Sequence, residues 1–120
     1  MRNQMTLGQM IDVLERKDPT ADVQFSFVGM VPTGVSSYRG YYDQLAIGYE
    51  SKYPRPKVAD VLTMLKDADG QTFTGYKGGE YTMDRDTAVW VANNGEVGGT
   101  GIIDIIDGEY AVILQTAIVD

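Results

Sequence analysis

Residues 102–117 read IIDIIDGEYAVILQTA, and the reading of this stretch decides the fold class. Two aliphatic runs, Ile102–Ile106 and Glu109–Ala117, flank Asp107-Gly108, a dipeptide that favours the type I′ turn of a tight hairpin. Branched aliphatic side chains dominate both runs, as a pleated and largely buried surface requires. The chain therefore ends in an antiparallel hairpin. Upstream, Ala88–Ala92 is apolar and carries the only tryptophan, Trp90, after which Asn93-Asn94-Gly95 predicts a turn. Gln71–Tyr76 and Glu80–Met83 read as two further strands on either side of Lys77-Gly78-Gly79.

The first half of the chain mixes the two periodicities. Thr6 and Gln9 fit a capping box, and Leu7, Met10, Ile11 and Leu14 repeat at helical spacing up to the stop at Asp18-Pro19. Val23, Phe25 and Phe27 alternate with polar residues and predict a half-buried strand. Residues 29–37 (GMVPTGVSS) predict a loop on glycine, proline and serine content. A second strand is expected through Tyr41–Tyr49, and Ser51–Pro56 reads as a connector because its prolines deny regular pairing. Val58, Val61, Leu62 and Leu65 then form the stripe of a second helix, preceded by Pro56 and stopped by Gly70. The expected architecture is α+β: one domain over residues 1–120, with a largely antiparallel sheet of about six strands and two amphipathic helices packed on it.

Composition narrows the chemistry. The chain has 120 residues, neither cysteine nor histidine, and 17 carboxylates against 10 cations, for a net charge of −7. Disulfides, thiol nucleophiles, zinc fingers and imidazole bases are thereby excluded. The acidic balance argues against binding along a nucleic-acid backbone, which needs a basic footprint. Seven of the cations, Arg39, Lys52, Arg55, Lys57, Lys66, Lys77 and Arg85, fall in the middle of the chain, and none follows Arg85. Met1-Arg2-Asn3-Gln4 leads into a polar-faced helix and not into an apolar leader, so the expected location is cytoplasmic, with no membrane contact.

Two segments carry ligand-type chemistry. Ser36-Ser37-Tyr38-Arg39-Gly40-Tyr41-Tyr42 places a guanidinium fork among hydroxyls and phenol rings, a recipe for an anion attached to a planar group. The plainer alternative is that Tyr38, Tyr41 and Tyr42 pack at a strand end while Arg39 meets an acidic neighbour. The second segment, Thr72 to Tyr81, repeats the ingredients with Tyr76, Lys77, Gly78 and Gly79, whose glycines let backbone amides approach a ligand. Its alternative is an ordinary hairpin turn.

Other matches fail. Gly75-Tyr76-Lys77-Gly78 lacks P-loop spacing, and the loop starting at Asp67 has Gly78 where a calcium loop needs glutamate. Asp84-Arg85-Asp86 reads as an exposed turn and not as a magnesium site. The glycines at 95, 98, 99 and 101 suit either a backbone lying against a phosphate or a flexible loop between strands, and nothing in the sequence brings Glu80 to Glu96 as an acid–base pair.

On Ser37 to Tyr42 with Gln44-Leu45-Ala46, Val58 to Leu62, and Thr72 to Met83, the chain resembles a group of small proteins found in phage and prophage genomes. The similarity covers roughly residues 5–100. Phage proteins of this size often counter host defences, which implies either capture of a nucleotide-derived immune signal or blockade of a defence protein. The leading expectation is a non-enzymatic sponge for a signal of the Thoeris or CBASS type. Its ligand-binding residues would be Ser37, Tyr38, Arg39, Tyr41, Tyr42, Tyr76, Lys77, Gly78 and Gly79, with no catalytic residue, metal or cofactor. The alternative is an acidic inhibitor that occupies a nucleic-acid-binding surface, like some CRISPR inhibitors. A small nucleotide hydrolase or lyase ranks last. Aliphatics on both faces of the last hairpin lead to the further expectation of a homo-oligomer, most simply a two-fold dimer.

Overall fold

The computed structural model describes residues 4–27, 29–38, 44–74, 78–92 and 99–119. The first helix, α1 (Leu7–Leu14), opens on the expected capping box. The Gln9 N–H donates to Thr6 Oγ1 at 3.2 Å, and the Thr6 N–H donates to Gln9 Oε1 at 2.9 Å. α1 ends a turn before Asp18-Pro19, with Glu15 as its C-cap. The second helix, α2 (Val58–Ala68), buries Val58, Val61, Leu65 and Ala68. In its first turn the Asp60 carboxylate accepts from the Lys57 N–H at 2.9 Å, satisfying one of the amides that a helix start leaves over.

Six strands form the main sheet: β1 (Val23–Phe25), β2 (Met30–Ser37), β3 (Leu45–Ser51), β6 (Val89–Val91), β7 (Thr100–Asp107) and β8 (Val112–Ile118). Their order is β1-β8-β7-β6-β3-β2. The pairs β1/β8 and β3/β6 are parallel, and the other three are antiparallel. The short strands β4 (Thr72–Thr74) and β5 (Glu80–Thr82) pair with each other as a separate hairpin. The chain is thus α+β with a mixed, mostly antiparallel sheet.

One cluster of buried residues joins the helices to the sheet. Leu7, Met10, Ile11 and Leu14 of α1, with the buried stripe of α2, cover Phe25, Leu45, Ile47, Val89, Ile102 and Leu114. Burying each large aliphatic side chain contributes about 1.5–3 kcal/mol relative to exposure. Residues 4–6 wedge in where β6 and β7 diverge: the Met5 N–H donates to the Ile102 carbonyl at 2.7 Å, and the Val89 N–H to the Met5 carbonyl at 3.2 Å.

Two expectations are corrected. Residues 30–37 are not a loop but β2, paired antiparallel with β3. As the last strand of the sheet, β2 tolerates a proline without an N–H, and its glycine falls at a bulge between Pro32 and Val35. The last hairpin does not turn on Asp107-Gly108. Asp107 pairs with Val112, and residues 108–111 form a four-residue loop closed by the Gly108 N–H on the Ala111 carbonyl at 2.8 Å. This register sets Leu114 opposite Ile105 in the core, whereas the two-residue turn would set Tyr110 there. The strand expected from Tyr41 is described only from Leu45, where Leu45, Ile47 and Tyr49 do share the core-facing side. Its first residues, 41–43, and the turn expected at Asn93-Asn94-Gly95 lie outside the described residues.

Candidate functional site

The sequence-derived ligand residues divide into three groups. Arg39, Tyr41, Tyr42, Tyr76 and Lys77 lie outside the described residues. Gly78 and Gly79 follow β4 at the approach to β5, and Gly78 has φ +81°, a backbone conformation that favours glycine. Ser37 and Tyr38 are buried at the end of β2, at 7% and 4% exposure. Tyr38 stacks on Trp90 on the sheet face opposite the helices, since Trp90 alternates with the core residues Val89 and Val91. Gln44 ties the two together: its carbonyl accepts from the Tyr38 N–H at 2.7 Å, and its Oε1 accepts from Trp90 Nε1 at 2.6 Å. One face of the Tyr38 ring is therefore covered by the Trp90 indole.

Among the described residues, a concavity suited to a ligand lies on the helix side of β2. A cleft of about 670 Å³, within the usual range for small-molecule sites, separates the β2 bulge from α2 and from the connector after β3. Val35, Val61 and Met64 give it apolar surface. Pro32, Thr33 and Gly34 form the bulged wall, and Lys52, Pro54, Arg55 and Pro56 face them from the connector. Asp60 adds a carboxylate from the first turn of α2.

Charge is unevenly satisfied around this cleft. Asp22, just before β1, accepts a hydrogen bond from Lys57 Nζ and lies 3.7 Å from Arg55 Nη1. That hydrogen bond, with the attraction of both cations, holds the Asp22 carboxyl below its ordinary value. The same hydrogen bond, followed by the carboxylate's charge, raises the Lys57 ammonium above its own. Lys52 makes no ion pair among the described residues and lines the cleft. Tyr53, between Lys52 and Pro54, is 85% exposed. Among the described residues an unpaired ammonium, Lys52, and a partly engaged guanidinium, Arg55, thus line a cleft with an apolar floor.

Sequence reasoning passed over this cluster because the prolines marked Ser51–Pro56 as a connector. The available signal was Lys52-Tyr53-Pro54-Arg55-Pro56-Lys57, three cations and an aromatic ring in six residues of an acidic chain. Among the described residues no group of three or more carboxylates is placed to hold a metal ion, and no helix is long and apolar enough to cross a membrane. The chain matches no protein-family model, no curated protein and no solved structure.

Proposed function

We propose that this protein binds a nucleotide-derived signalling molecule and sequesters it without turnover, as a phage anti-defence sponge acting in the host cytoplasm on signals of the Thoeris or CBASS type. The observation that carries this reading is the cleft beside β2, where cations from a rigid proline-rich connector meet an apolar floor. Phosphate needs the first and a nucleobase the second. The resemblance to phage proteins and the absence of cysteine and histidine support binding over catalysis. Thermal-shift screening against cyclic and linear nucleotides tests it. A ligand at a hundredfold its Kd adds roughly 2.7 kcal/mol of stability, and it is recovered intact after the protein is denatured. Conversion of the nucleotide would replace the sponge with an enzyme; the absence of any shift across the panel would remove the reading.

A second reading rests on a different surface. The loop between β7 and β8 presents Tyr110 at 79% exposure, beside the exposed carboxylates of Asp107 and Glu109. An aromatic anchor within an acidic rim suits a basic protein surface, such as one that binds nucleic acid. In this reading the protein is an inhibitor of a defence complex, and Tyr110→Ala abolishes activity while nucleotide binding is absent.

A further inference from the structure

We infer that the cleft selects nucleotides whose phosphate is a diester, with a single negative charge, over monoesters and triphosphates; this rests on the sequestering function proposed above. The argument is one of charge balance. Lys52, Arg55 and Lys57 line or back the cleft, opposed by Asp22 and Asp60, which leaves one positive charge uncompensated. A diester matches it. A phosphate monoester carries about −1.5 to −2 at neutral pH and a triphosphate more, so either brings excess negative charge against Asp60 and a protein of net charge −7. Arg55 and Lys57 cannot both turn to the ligand without releasing Asp22, whose carboxylate they share. Lys52 is therefore the primary phosphate contact, with the base held over the apolar surface of Val35, Val61 and Met64.

Isothermal titration of the full-length protein with 3′,5′-cyclic AMP, AMP and ATP, and with their guanine counterparts, tests the selectivity. A cyclic mononucleotide binds best, and the triphosphate is weaker by about tenfold or more, the scale of one charged hydrogen bond. Lys52→Ala weakens the cyclic nucleotide by a similar factor. Gly34→Leu fills the cleft and abolishes binding: Gly34 lies outside the left-handed backbone region, and no atom lies within 4 Å of the position a Cβ would take. Its melting temperature stays at the parent value, which separates blockade from misfolding. Triphosphate binding as tight as the cyclic form, or binding untouched by both variants, overturns this inference and leaves sequestration standing. Failure of all six nucleotides likewise overturns this inference, and sequestration falls only if the wider screen of cyclic and linear nucleotides is also negative.

Discussion

Tyr38 and Trp90 lie face to face, with ring centroids 4.5 Å apart and planes 8° from parallel. The pair closes the sheet face away from the helices, and Gly99 is where the chain passes against it. A Cβ at Gly99 would stand 2.8 Å from Tyr38 Oη and inside contact distance of Trp90 Cζ3. Gly99→Ala is therefore expected to destabilise the fold by about 1–3 kcal/mol, the usual cost of overpacking. Urea unfolding followed by tryptophan fluorescence measures it, and an unchanged midpoint would mean that the stack has room to yield.

The Asp22–Lys57 pair predicts a pH dependence with a definite sign. Asp22 is held below its ordinary value of 3.8, so its contribution to stability is complete above that pH and lost as the pH falls through the lower folded value. Lys57 is held above 10.5, so its contribution is complete below that pH and lost as the pH rises through the folded value. Asp22→Asn should flatten both limbs of the melting-temperature profile. Limbs as steep as those of the parent would assign the titration to other groups.

Arg39 and Lys52 give opposed expectations for the ligand. The sequence motif assigns the phosphate to Arg39, which lies outside the described residues; the cleft assigns it to Lys52. With the nucleotide in the cleft, Arg39→Ala leaves affinity unchanged and Lys52→Ala loses about tenfold, near the lower end for a charged hydrogen bond. The reverse pattern in titration calorimetry would return the site to residues 36–42 and 72–81.

Assembly is tested on the last hairpin. Ile118 is 75% exposed and Ile106 is 38% exposed, so the last hairpin carries uncovered aliphatic surface. A two-fold dimer of the 13.2 kDa chain is expected by light scattering at micromolar concentration, and Ile118→Lys should shift it toward monomer. A parent that is already monomeric at that concentration removes the dimer.

Both helices and most strands were legible because their signals are local. The Thr6–Gln9 capping box, the α2 stripe ending before Gly70, and the alternation of Leu45, Ile47 and Tyr49 each sit within a few residues of sequence. They fixed the α+β class. Tertiary structure decided what depends on distant partners. Pro32 and Gly34 read as loop residues until β2 is known to be the edge of the sheet, where a missing N–H and a bulge cost little. Asp107-Gly108 favours a tight turn, yet burial of Leu114 opposite Ile105 outweighs that local preference and moves the loop to 108–111. Tyr38 has the composition of a ligand contact, but the fold stacks it on Trp90, far along the chain, and buries it. The cleft is of the same kind. Its walls come from β2, the connector after β3, and α2, and no local pattern specifies that three such segments will meet around an empty space.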